Sequence, residues 1–80
     1  MKIYFSKQAA KYLNRLDASS QKRIRNGMIA LPQGDIVPLK GSDGSYRLRV
    51  GDWRILFSYM DDNNVFIEKI SPRGDVYKGG

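Results

Sequence analysis

The sequence predicts an α+β domain in the order β-α-α-β-β-β: an antiparallel sheet with a two-helix hairpin packed on one face. Three observations predict it. Two stretches in the first half carry apolar residues at helical spacing. Three later runs are strand-like, and the breaks between segments fall at Gly, Pro, Asp and Asn. Eighty residues hold one domain, 1–80, with a modest core.

Taken in order, Lys2-Ile-Tyr-Phe5 reads as a short strand that joins one edge of the sheet. Ser6 suits an N-cap, because its hydroxyl can accept from an otherwise unpaired backbone N–H. From there to Leu16, Ala9, Leu13 and Leu16 form an apolar stripe helped by Ala10 and Tyr12, with Lys7, Lys11, Asn14 and Arg15 mostly facing away. Asp17-Ala-Ser-Ser20 makes the connection, and Asp17 or Ser19 can cap a second helix. That helix runs to about Leu31 on Ile24, Met28 and Leu31, and Pro32 stops it. Gln33 to Ser45 is a connector in which Val37-Pro38-Leu39-Lys40-Gly41 lies extended, with Leu39 as an anchor.

The centre of the sheet is the hairpin Ser45–Tyr59. Tyr46, Leu48 and Val50 alternate with Arg47 and Arg49; Trp53, Ile55, Phe57 and Tyr59 alternate with Arg54, Leu56 and Ser58. Gly51-Asp52 between them is a type II′ turn signal. That turn sets Val50 opposite Trp53, Leu48 opposite Ile55 and Tyr46 opposite Phe57, and so builds one apolar face. It also sets Arg49 directly opposite Arg54, with Arg47 one step along. Like charges so opposed are destabilising, and an arrangement that tolerates them points to an anion. After a turn at Met60–Asn64, Val65 to Ile70 is the third strand of this meander. Its facing is open: Val65 and Ile67 inward bring Lys69 with them, Phe66 and Ile70 inward bring Glu68, and a bulge would reconcile the two. Pro72 ends it.

Composition narrows the chemistry. A hydrophobic share of 41% with 28% charged residues is that of a globular chain rather than a disordered one. No apolar run is long enough to cross a bilayer, the N-terminus has no signal-peptide core, and there is no cysteine for a disulfide or a thiolate site. These absences fit a cytoplasmic protein with no membrane partner. Histidine is also absent, which removes the usual general base and the commonest metal ligand. Zinc hydrolysis and Ser-His-Asp chemistry are excluded, leaving Arg, Lys, Tyr, Asp and Glu. The net charge of +6 favours a polyanionic partner, nucleic acid before membrane. The surplus lies in residues 1–40, where Lys2, Lys7, Lys11, Arg15, Lys22, Arg23, Arg25 and Lys40 face only Asp17 and Asp35. The helical cations read either as an ordinary solvated face or as a broad footprint for nucleic acid.

The element order, Leu39-Lys-Gly41, Tyr46-Arg-Leu-Arg-Val-Gly-Asp-Trp-Arg-Ile55 and Arg73-Gly-Asp-Val-Tyr77 together resemble the RelE/ParE superfamily of toxins from type II toxin–antitoxin modules, in its RelE-like branch. The resemblance spans essentially the whole chain. It implies a ribosome-dependent mRNA endoribonuclease (an mRNA interferase) that inhibits translation and is held inactive by a cognate antitoxin. The implied partners are that antitoxin, mRNA and the ribosome, with operator DNA reached only through the antitoxin complex; no cofactor or metal is implied. Arg47 and Arg49 match the branch's basic pair before the tight turn, Arg54 the arginine after it, and Arg73 and Tyr77 its C-terminal arginine and tyrosine. The pair is commonly lysine in the best-known member of the branch and is arginine here, and arginine does not give up its proton. The chain also stops soon after Tyr77, without the extra C-terminal helix of some relatives.

Such cleavage uses the 2′-OH beside the scissile phosphate as nucleophile and leaves a 2′,3′-cyclic phosphate. It needs a base, an acid and stabilisation of the phosphoryl charge. Arginine's planar fork suits the last of these. Arg54 is the first choice for the scissile phosphate, supported by Arg73. Tyr77 is a candidate base or a stacking ring, and equally a ring packed on the sheet edge. Lys40 and Lys78 are candidate RNA contacts. Asp52 and Asp75 read as turn residues, and Trp53 as core. A ParE-like toxin that inhibits DNA gyrase by binding, without being an enzyme, shares this fold and is the alternative. A degenerate member that keeps only antitoxin regulation is a third.

Overall fold

A computed structural model describes residues 2–31, 33–39 and 44–72. In chain order the elements are β1 (Lys2–Phe5), α1 (Lys7–Arg15), α2 (Ala18–Ile29), β2 (Asp35–Pro38), β3 (Ser45–Val50), β4 (Trp53–Tyr59) and β5 (Asn64–Pro72). The strands form one sheet in the order β1-β5-β4-β3-β2. As expected, β3, β4 and β5 are an antiparallel meander and β1 takes an edge. β1 runs parallel to β5, so the sheet is mixed rather than wholly antiparallel.

Capping sets where both helices start. Ser6 has extended backbone angles, and its hydroxyl accepts from the Ala9 N–H at 3.1 Å. Asp17 does the same for α2, accepting from the Ser20 N–H at 3.3 Å and the Ser20 hydroxyl at 2.6 Å. Asp17–Ser20 is therefore not a connecting loop. Once Asp17 caps, Ala18, Ser19 and Ser20 are the first helical turn, and only Leu16 and Asp17 join the helices. The Ser20 side chain, then the backbone donors, hold the Asp17 carboxyl below the ordinary aspartate range.

The core lies between the helices and one face of the sheet. Ala9 and Leu13 of α1, Ile24 and Met28 of α2, and Leu31 pack with Leu48, Ile55, Phe57, Val65, Ile67 and Ile70, all of them buried. Of the expected stripes, Ala9, Leu13, Ile24, Met28 and Leu31 are buried, while Tyr12 and Leu16 pack half-buried against them. Tyr46 stacks on Phe57 at a centroid distance of 5.6 Å, and Tyr59 meets both edge-on at 5.4 and 5.5 Å. Such pairs add to what area burial alone contributes.

Two features depart from the expected order. The stretch expected to lie extended after Gln33 contains a true strand. β2 pairs antiparallel with β3 from Asp35↔Arg49 to Pro38↔Tyr46. Proline is tolerated because β2 is an edge strand, where a missing N–H breaks no ladder on the outer side. The second feature settles the facing of β5. Leu56 pairs with Lys69 but its neighbour Phe57 pairs with Ile67, so Glu68 is an extra residue. This bulge lets Val65 and Ile67 on one side of it, and Ile70 on the other, all reach the core. The Glu68 carbonyl accepts from the Ser6 hydroxyl at 2.7 Å and from Gln8 Nε2 at 3.2 Å. The start of α1 is thereby tied to the bulge.

Candidate functional site

The hairpin forms in the expected register: Val50↔Trp53, Arg49↔Arg54, Leu48↔Ile55 and Tyr46↔Phe57. Gly51 takes φ +56°, and among the described residues no other type of residue has a positive φ, so Asp52 does not. That is the type II′ pattern rather than type I′. An alanine at Gly51 would be strained.

Directly paired residues share a face of the sheet. One row across four strands therefore reads Asp35, Arg49, Arg54, Ser71, and the next reads Val37, Arg47, Leu56, Lys69. Both rows alternate with the core residues Leu48 and Ile55, so they lie on the face away from the helices. Arg47, Arg49 and Arg54, expected to converge, do so, and β5 adds Lys69 to them.

Their environments differ. Arg49 is open to solvent, and its Nε lies 3.9 Å from Asp35 Oδ2, with side-chain exposures of 41% and 60%. An ion pair that long and that exposed contributes little. Arg47 is half-buried. Arg54 is fully buried, its Nε and Nη1 out of contact with solvent. A strand arginine opposite another arginine is expected on an open face. Here the guanidinium is covered, a position charged side chains almost never take without partners. Arg49 is thus the arginine of this row that meets solvent, and Arg54 lies beneath the surface. Lys40, Arg73, Tyr77 and Lys78 lie outside the described residues.

α2 holds the tip of this hairpin, which sequence reasoning did not anticipate. A Cβ placed on Gly27 would stand 2.5 Å from Val50 Cγ2, so glycine is what lets α2 approach β3. One turn earlier, the Arg23 guanidinium lies over the Trp53 ring, 5.7 Å from its centroid. Trp53 is half-buried against the core, as expected. The available signal was a glycine inside a helical pattern, between Ile24 and Met28, which commonly has a packing reason.

No protein-family model matches the chain. It is 35% identical to the RelE1 protein of Methanocaldococcus jannaschii, which is named as a toxin, over 95% of this chain and 93% of that protein. Among solved structures it resembles the RelB–RelE antitoxin–toxin complex from Methanococcus jannaschii, with a TM-score of 0.74 and 23% identity over 95% of this chain and 96% of that one. It also resembles the archaeal RelE–RelB complex from Pyrococcus horikoshii, with a TM-score of 0.70 and 29% identity over 91% and 94% of the two chains.

Proposed function

The chain belongs to the RelE family of toxins, and from that premise we propose that it is the toxin of a RelBE-type toxin–antitoxin pair that cleaves mRNA on the ribosome. Both of these structural neighbours are toxins solved together with their antitoxins. A cognate antitoxin is accordingly its first protein partner. The observation that carries the nuclease reading is the pair Arg49↔Arg54, directly opposed on the face that carries Arg47. Concentrated positive charge on a sheet face is what a phosphodiester in transition requires.

The reaction keeps its own balance without an added reactant. The 2′-oxygen loses its proton to a base and bonds to phosphorus, the bond from phosphorus to the 5′-oxygen breaks, and that oxygen takes up a proton. The products are a 2′,3′-cyclic phosphate and a 5′-hydroxyl. In this reading Arg49 and Arg47 meet the phosphate first, being the accessible members. Arg54, with Arg73, takes the charge on the scissile phosphoryl oxygens once its guanidinium is uncovered. Tyr77 is the base or the stacking ring, and Lys40 and Lys78 are outer RNA contacts.

The test sets two assays side by side. Purified toxin is added to ribosomes translating a defined mRNA, and cuts are mapped by primer extension; DNA gyrase supercoiling is followed in parallel. Cleavage without gyrase inhibition is the expected result. Arg49→Ala and Arg54→Gln, each checked for folding by circular dichroism, should each slow cleavage by about 100-fold or more, the usual effect of losing one charge-stabilising donor. Tyr77→Phe should slow it comparably if Tyr77 is the base and leave it near wild type if the ring only stacks. Full cleavage by all three variants removes the site assignment. Gyrase inhibition without cleavage replaces the nuclease reading with the binding toxin.

A further inference from the structure

A second cationic feature lies around the edge of β5 from the arginine row. β1 pairs with β5 only as far as Phe5↔Ile67, so among the described residues no strand pairs with the last residues of β5 on that side. Between them and α1 is a cleft of about 300 Å³, lined by Gln8, Lys11, Tyr12 and Arg15 of α1 and by Lys69 and Ser71 of β5. The four α1 positions are spaced as one helical face. Three of the lining side chains are cations and none is a carboxylate. Lys11, Arg15 and Lys69 are exposed, and among the described residues no carboxylate lies within ion-pair distance of them. Ser71 is 2% exposed, and its hydroxyl has no hydrogen-bond partner among the described residues.

The cleft is continuous with the candidate site. Ser71 is the direct cross-strand neighbour of Arg54, and Lys69 stands in the row of Arg47. Neighbouring strands are about 4.8 Å apart, so one strand spacing separates Arg54 from the cleft. We propose that this cleft seats the phosphate backbone of a single-stranded RNA whose adjoining segment lies on the arginine row. The inference rests on the nuclease reading and extends it from one phosphate to a track. Single-strand binding combines a positive groove with a continuous path for the backbone. A cleft at the lower end of the ligand range, about 300–1,000 Å³, suits a nucleotide unit. A partner helix, about 10–12 Å across with its side chains, needs a wider trough.

The experiment measures the affinity of a short, fully 2′-O-methylated single-stranded RNA, which blocks attack by the 2′-oxygen, as a function of salt. It compares wild type with the triple variant Lys11→Gln, Arg15→Gln, Lys69→Gln. A triple of equal charge change elsewhere, Lys7→Gln, Lys22→Gln, Arg25→Gln, is the control. If each cleft cation covers one phosphate, the slope of log K against log salt falls by about 2, and affinity at about 0.1 M salt falls about 100-fold. The control triple should change the slope by less than half as much. Equal effects of the two triples would reduce the cleft to general net charge and overturn the proposal. Wild-type RNA binding by the cleft triple with weakened binding of the antitoxin would assign the cleft to protein, and overturn it equally. Loss of binding in Arg49→Ala but not in the cleft triple leaves the nuclease site standing and removes the cleft alone. A wild type that binds no RNA removes both.

Discussion

Replacing Gly27 by alanine sets two effects of opposite sign against each other. In a helix interior the change should stabilise by about 1 kcal/mol, because glycine loses more backbone freedom on folding. Here the new Cβ would meet Val50 Cγ2 at 2.5 Å, with Cγ1 and Cβ of the same side chain at 3.3 and 3.4 Å. Carbon contacts are optimal at about 3.5–4.0 Å, so Val50 must retreat by about 1 Å. It cannot do so by a small rotation, since a β-branched side chain is stiff at χ1. Overpacking of this kind costs about 1–3 kcal/mol. The net effect of Gly27→Ala is therefore a loss of about 0–2 kcal/mol. In a Val50→Ala background the obstruction is gone, and the same substitution should stabilise by about 1 kcal/mol. Urea unfolding of the four proteins, followed by far-ultraviolet circular dichroism and by the single Trp53, measures the coupling. It should be about 1–3 kcal/mol. If Gly27→Ala shifts stability equally in both backgrounds, the contact is not what holds α2 against the hairpin.

Other consequences are simpler to test. Ser6→Ala removes the α1 cap and the hydroxyl that donates to Glu68, and should cost about 1–2 kcal/mol in urea unfolding, while Ser6→Thr retains most of the stability. The carboxyls of Asp17 and Asp61 are both held below the ordinary aspartate range, Asp17 chiefly by the Ser20 side chain and Asp61 chiefly by the Asn64 side chain. A lowered folded pKa gives stability that is present above the unfolded aspartate value, about pH 4, and lost as pH falls through the folded one. Thermal melts should therefore decline on acidification below about pH 4, and less steeply in an Asp17→Asn, Asp61→Asn variant; parallel profiles would contradict the hydrogen-bond cause. Asp35→Asn breaks only an exposed pair and should change stability by less than about 0.5 kcal/mol. It should also tighten RNA binding by freeing Arg49; weaker binding would make Asp35 a positioning residue.

The hairpin was legible in the sequence because two local codes agree there. The Gly51-Asp52 turn sets the pairing, and the alternation from Tyr46 to Tyr59 accepts no other. The two caps were legible for the same reason, since Ser6 and Asp17 each precede an apolar stripe. β2 was not, because its partner lies across a loop and Pro38 argues against a strand until it is known to be at an edge. The facing of β5 could not be chosen by alternation, since Glu68 interrupts it and only the pairing with β4 reveals where. In the candidate site, the sharing of one face by Arg47, Arg49 and Arg54 followed from register. The burial of Arg54 did not, because charge on a strand reads as exposed whatever lies above it. Gly27 and Ser71 carried no signal specific enough to single them out.

The extra residue in β5 has a consequence best put as parity. Strand positions are odd or even, and each parity is bound to one side of the sheet. Were Glu68 an ordinary paired residue, the odd positions from Val65 would continue inward, burying Lys69 and Ser71 and turning Ile70 out. One additional residue exchanges the two parities halfway along the strand. Upstream of it, odd numbers build the core; downstream, odd numbers build the basic surface. Drawing Glu68 into the ladder would therefore not merely straighten a strand: it would turn a cationic rim into an interior and an interior into a rim, whereas deleting it would leave both faces as they are. The charge pattern of this face depends on a register as much as on the identity of any lysine or arginine.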